Sequence, residues 1–152
     1  MLETNRKIRL MRDEDVTDVV RVWCRSGKSV YSFLPAWREF TIDLALSIFK
    51  KHILPHCEIW VGICDETVDA YLAMKQSYID RLYVEPLSQR TGWGRSLLNY
   101  AKALYPEGLE LHTHQENHGA RAFYEQNGFV AVEFGISPPP ESVPDVRYQW
   151  RP

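Results

Sequence analysis

The chain has little cysteine, no long apolar run and no surplus of basic charge. Its three cysteines, Cys24, Cys57 and Cys64, are odd in number and lack any C-x-x-C spacing. That excludes a disulfide framework or a structural zinc site as the organising element and leaves reduced thiols. No segment approaches the ~20 apolar residues of a membrane-spanning helix. The basic pair Arg6-Lys7 has no apolar run behind it, so neither an anchor nor a secretory leader is expected, and the reading is a cytoplasmic protein without a membrane partner. A net charge of −2, with Lys and Arg scattered among the acids, gives no electrostatic footprint for nucleic acid. His52 and His56 have a metal-binding spacing, but Pro55 breaks the helix between them, and no metal site is expected.

What is present suffices for one domain spanning residues 1–152: at 45% hydrophobic content, a chain of this length buries most of the surface its unfolded form exposes. Lys7 to Met11 alternates as a strand. Val16, Val19, Val20 and Trp23 recur at helical spacing behind an acidic start at Asp13, Glu14 and Asp15. Ser26 to Trp37, with Gly27 and Pro35, reads as an irregular connection, and Thr41 to Ile53 as a second helix. Glu58–Cys64, Val68–Lys75 and Tyr78–Val84 form an antiparallel meander rich in β-branched and aromatic residues.

After Pro86 the period changes to helical: Trp93, Leu97, Leu98, Ala101 and Leu104 mark one face, stopped by Pro106 and Gly108. Leu109 to Thr113 then lies beyond a helix, so it is placed parallel to the strand before it. Asn117 caps a helix through Gln126 that Asn127-Gly128 ends; Phe129 to Phe134 and the Val146, Tyr148, Trp150 alternation close the chain as strands around a stiff Pro-rich loop, Ser137 to Ser142. The order gives an α+β fold, a mixed parallel and antiparallel sheet with helices.

One turn carries chemistry. In Gln89-Arg90-Thr91-Gly92-Trp93-Gly94, glycines sit where a strand gives way to a helix, and the first free N–H groups of such a helix hold anions. Arg90 and Arg95 add charge suited to a pyrophosphate or ribose phosphate. A P-loop would need a lysine where Arg95 stands, and a dinucleotide fingerprint would need Gly or Ala at Leu97, so neither is supported. Taken alone, the glycine pair is more readily a tight connection than a binding loop.

Read together with Asn117, Ala120, Phe123, Tyr124, Gly128 and Phe129, the turn resembles the pyrophosphate loop of the GCN5-related N-acetyltransferases, the GNAT superfamily. The later residues resemble that family's pantetheine-side helix, Ile79 to Pro86 its fourth strand, and Trp60-Val61-Gly62 its second. The resemblance covers about residues 78–134. It implies the GNAT acyl-CoA N-acyltransferase fold with about four helices, acetyl-CoA as donor co-substrate, and acetyl transfer to a primary amine of a small molecule, peptide or protein in a ternary complex. The other reading it leaves open is a binding module that senses acyl-CoA without turning it over.

In the family the fourth and fifth strands splay and the pantetheine arm lies between them. Backbone groups of Leu82, Tyr83 and Val84 would then hold that arm, with the Val84 N–H facing the thioester oxygen. Gln89, Arg90, Thr91, Gly92, Trp93, Gly94 and Arg95 would bind the pyrophosphate, and Asn117 and Tyr124 would border the arm. Tyr124 falls on the general-acid position, where a protonated phenol can donate to the departing sulfur. By simple alternation Asp80 shares a strand face with Tyr78, Leu82 and Val84, and it either takes the amine proton, directly or through water, or pairs with Arg81 or a loop amide. His112 and His114 share a face of the next strand and are further candidates for the base. Acceptor specificity would come from Tyr31, Phe33 and Trp37, and from Glu141 and Asp145. Edge strands leave a homodimer open.

Overall fold

The computed structural model describes residues 5–30, 41–139 and 141–152. Strand β1 (Arg6–Leu10) leads through a 3-10 turn (Asp13–Asp15) into α1 (Val16–Val30). The turn is fixed by Asp15. Its carboxylate accepts two bonds from the Arg9 guanidinium, at 2.7 and 3.1 Å, and one from the Arg12 N–H. The Arg9 bond holds this buried carboxyl below its usual pKa. Val19, Val20 and Trp23 form the buried stripe of α1. The helix continues through Val30, which corrects the expectation of an irregular connection from Ser26, because nothing before Pro35 forces a stop. Tyr31, Phe33 and Trp37 lie outside the described residues.

α2 (Ile42–Ile48) is capped by the Thr41 hydroxyl, which accepts from the Leu44 N–H, and runs on into a π turn, Phe49–Ile53. The meander follows as β2 (Glu58–Cys64), β3 (Thr67–Lys75) and β4 (Tyr78–Val84). Then come α3 (Trp93–Leu104), β5 (Leu109–His114), α4 (His118–Gln126), β6 (Val130–Ile136) and β7 (Pro144–Trp150). The seven strands are ordered β1-β2-β3-β4-β5-β7-β6, with β4 and β5 parallel and every other neighbour antiparallel. The α+β mixed sheet is as expected.

Each sheet face has its own core. Val19, Trp23, Phe49, Val61, Tyr71 and Ala73 pack on the α1 and α2 side. Leu72, Met74, Trp93, Leu97, Leu111 and Tyr148 pack on the α3 and α4 side. Each fully buried side chain such as Leu97 or Leu111 contributes about 1.5–3 kcal/mol. Sandwiched between two cores, the centre of the sheet cannot shift, and what it positions at β4 and β5 is held firmly.

Candidate active site

β4 and β5 pair only at Tyr78↔Glu110 and Ile79↔Leu111. Beyond that point they diverge and open a cleft of about 830 Å³, lined by Ile79 to Val84 on one wall and by Leu111, His112, Thr113, Asn117 and Tyr124 on the other. The free edge of β4 follows from its ladder with β3. The Glu85 N–H donates to the Asp69 carbonyl at 2.6 Å, so Glu85 belongs to the set of residues that bond to β3. Val84 and Leu82, opposite Ala70 and Leu72, belong to the alternate set and turn their amides away from β3, towards the gap. The Ser26 hydroxyl agrees with this orientation: it donates to the Val84 carbonyl at 2.6 Å, fixing the peptide from α1.

The glycine turn lies above this edge. Gly92 has φ +92° and caps α3, a backbone conformation natural to glycine; a Cβ there would meet nothing within 4 Å. The first bond inside the helix runs from the Ser96 N–H to the Gly92 carbonyl at 3.0 Å, leaving the N–H groups of Trp93, Gly94 and Arg95 without helical partners. Together with Arg90 and Arg95, which line the cleft, they form a positive rim. Gly94 has a second reason to lack a side chain: its Cβ would stand 3.1 Å from the Phe123 ring of α4, so the start of α3 touches the second turn of α4 there.

The expected cofactor residues divide by direction. Leu82, Tyr83, Val84, Gln89, Arg90, Gly92, Gly94, Arg95, Asn117 and Tyr124 line the cleft. The Thr91 and Trp93 side chains do not. Thr91 donates its hydroxyl to the Ser88 carbonyl and accepts Arg6 on both its carbonyl and its hydroxyl, each at 2.8 Å; Trp93 is buried in the core with the Arg6 guanidinium 4.7 Å from its ring centre. Arg6 and Ser26 are thus functional neighbours that sequence reasoning missed. Neither carries a local signal, since each reaches the site from an element distant in sequence.

Asn117 caps α4 by accepting from the Ala120 N–H at 3.1 Å. Two turns on, Tyr124 is buried between Phe123 and Phe129, with edge-to-face ring distances of 5.2 and 5.5 Å. The two motif readings, core aromatic and cleft phenol, therefore describe one side chain: its ring packs and it still borders the cleft.

Asp80 departs from simple alternation. β3 pairs Ala73 with Arg81 and Met74 with Ile79, skipping Asp80, so Asp80 is the extra residue of a β-bulge. The bulge puts Ile79, rather than Tyr78, in the core with Leu82 and Val84. It leaves Asp80 with Lys75 Nζ and Arg81 Nε, each 3.4 Å away. Arg81 in turn stacks 4.2 Å from the Trp23 ring centre of α1. Asp80 thus has the Arg81 pairing that the sequence offered as the alternative to a base. On β5, Leu109, Leu111 and Thr113 are buried, so the alternate residues Glu110, His112 and His114 face the opposite side. There His114 Nε2 lies 3.0 Å from Glu141, whose carboxyl this bond holds below its usual pKa. The residues expected to hold the donor and those expected to meet the acceptor therefore occupy opposite faces of one cleft.

A family model described as the acetyltransferase (GNAT) domain matches residues 55–131. The peptidyl-lysine N-acetyltransferase YjaB of Escherichia coli (strain K12) is 30% identical over 123 residues, which is 80% of this chain and 80% of that protein. The solution structure of apo-form YjaB from E. coli superposes with a TM-score of 0.81 at 25% identity, covering 96% of this chain and 97% of that one. The PaiA N-acetyltransferase of Thermoplasma acidophilum, crystallised with coenzyme A, shares the fold with a TM-score of 0.70 at 19% identity, over 97% and 99% of the two chains.

Proposed function

The chain belongs to the GNAT acetyltransferase family and is an acetyl-CoA-dependent N-acetyltransferase; from this premise we propose that it acetylates the side-chain amine of peptidyl lysines by direct transfer in a ternary complex. The observation that carries the reading is the open fork of β4 and β5, with the α3 N-terminus at its mouth and Tyr124 on its wall. The lysine acceptor is supported by the activity named for YjaB and by the Glu141 carboxylate of the acceptor face, which attracts an ammonium group.

In this reading the pyrophosphate of acetyl-CoA sits on the N–H groups of Trp93, Gly94 and Arg95, with Gln89, Arg90 and Thr91 shaping the turn. The pantetheine arm lies along Leu82, Tyr83 and Val84, and Asn117 borders it from β5's side. The Val84 N–H stabilises the oxyanion, and Tyr124 protonates the departing thiolate. Asp80, held between Lys75 and Arg81, borders the path of the incoming amine. A covalent acyl-enzyme is not part of the route: burial pushes the Cys57 thiol, beside Asp80, up to about 11, so it stays protonated. The whole chain acts as one domain, in the cytoplasm. Among the described residues no helix is long and apolar enough to cross a membrane.

The test is coenzyme A release from acetyl-CoA with a panel of lysine peptides, N-terminal amines and polyamines. Tyr124→Phe is expected to lower kcat about 10²-fold with cofactor affinity nearly unchanged; an undiminished kcat removes Tyr124 from the acid role. A homodimer is proposed through the outer edge of β6, where Val130, Val132, Phe134 and Ile136 are all exposed. Sedimentation of Phe134→Glu should show the monomer, and a native chain already monomeric at high concentration rules the dimer out.

A further inference from the structure

At the fork, on the acceptor face, the Tyr78 hydroxyl lies 2.8 Å from His112 Nδ1, with ring centres 5.7 Å apart. The contact spans β4 and β5 at the level where their pairing stops, since Ile79↔Leu111 is the last pair. His112 is exposed and lines the cleft. In the proposed reading, a coenzyme arm anchored at Gly92 and Gly94 and laid along the free edge of β4 would bring its thioester end to this fork. An amine approaching from the acceptor face meets the pair on the way in. We propose that His112 receives the proton of the acceptor ammonium and that Tyr78 is the positioning residue that holds its ring, a role that rests on the acyl-transfer reading of the cleft.

A phenol oxygen accepts as well as donates. With Nδ1–H donating to Tyr78, Nε2 keeps its lone pair towards the cleft, and the bond survives when Nε2 takes a proton. In the opposite tautomer protonation would break it. The phenol itself stays neutral: burial, then the charges of Asp80 and Asp145, push it up to about 12.

The charged and titratable groups around the pair are Asp80 and Arg81 on β4, Lys75 on β3, Glu110 and His114 on β5, Asp145 and Arg147 on β7, and Glu141 in the hairpin loop. Arg147 stands opposite His112 but is engaged by Glu110 at 3.3 Å and Glu133 at 3.8 Å. Asp80 is engaged by its two cations. An imidazole, which changes protonation near neutrality, is therefore better suited than Asp80 to receive the proton.

The proton count closes. R–NH3⁺ gives one proton to Nε2, and the imidazolium later releases it to water. The amine nitrogen attacks the thioester carbonyl, the C–N bond forms and the C–S bond breaks. The thiolate takes the Tyr124 proton, and the phenolate regains one from the substrate nitrogen through water.

The experiment compares the native chain with His112→Gln, Tyr78→Phe and Asp80→Asn in coenzyme A release with a lysine peptide, from about pH 5.5 to about pH 9. His112→Gln is expected to lower kcat/KM about 10²-fold near neutrality and to replace the native levelling-off of the rate with a steady rise towards the pKa of the amine itself, while coenzyme A still raises its Tm. A peptide whose acceptor amine is less basic should restore much of the lost rate, which a merely structural defect would not allow. Tyr78→Phe should cost about 10-fold and move the acid limb; should His112→Gln not fold, this single-oxygen change and its pH profile decide the matter. An unchanged profile in His112→Gln, or a levelling-off lost in Asp80→Asn alone, overturns the pair's role while the acyl-transfer reading stands. A native chain that uses no lysine peptide overturns the acceptor reading, and the pair's role falls with it.

Discussion

The two sides of the cleft are built from different materials. In the proposed reading the donor side is largely backbone: amides at the start of α3, the free edge of β4, and glycines placed by a φ of +92° and by contact with Phe123. The proposed acceptor side is made of paired side chains: Asp80 with Lys75 and Arg81, His112 with Tyr78, His114 with Glu141. A cofactor common to a whole family is met by the part least sensitive to side-chain identity. The partner that varies is met by the part that substitution can retune.

Changes to backbone shape should therefore be severe and confined to the donor. Gly92→Glu is expected to weaken coenzyme A binding more than 10²-fold, by calorimetry, since the carboxylate meets phosphate and a left-handed non-glycine residue costs about 1–2 kcal/mol. Unaltered binding would falsify the placement of the pyrophosphate. Gly94→Ala is next: its methyl presses on Phe123, and the expected cost is about 1–3 kcal/mol in urea unfolding, with the acceptor KM unchanged in the folded fraction. A shift in acceptor KM alone would blur the division between the two sides.

The smallest effect is expected at the clasp. Glu141→Gln should alter the acceptor KM a few-fold and leave the coenzyme A affinity as it was. Because the folded-state pKa of Glu141 is depressed by His114, its contribution is present above the ordinary carboxylate range and is lost as pH falls through the lower, folded value. An NMR titration of this carboxyl should find its midpoint below that of glutamate in a peptide. A midpoint at or above the peptide value would break the clasp.

Most of the fold was legible because its signals are local. The 3.6-residue stripe of Val16, Val19, Val20 and Trp23, the strand periods, the Asn117 cap and the glycine turn each specify conformation within a few residues. Asp80 was misread because a bulge inserts one residue without a local mark; only the pairing of Ala73 with Arg81 and Met74 with Ile79 reveals it. Trp93 and Thr91 were placed at the pyrophosphate loop by the family resemblance, and what the sequence did not show is that packing turns their side chains towards the core and Arg6.

The sequence by itself therefore determined the order of elements, the glycine turn and the phenol beside it, since propensity, capping and periodicity act over short spans. Only the tertiary structure decided that β4 and β5 part beyond Ile79, that Ser26 and Arg6 brace the donor side, and that Tyr78 meets His112 at the fork. Those contacts join residues 34 to 85 positions apart, and their geometry depends on how two cores press on one sheet.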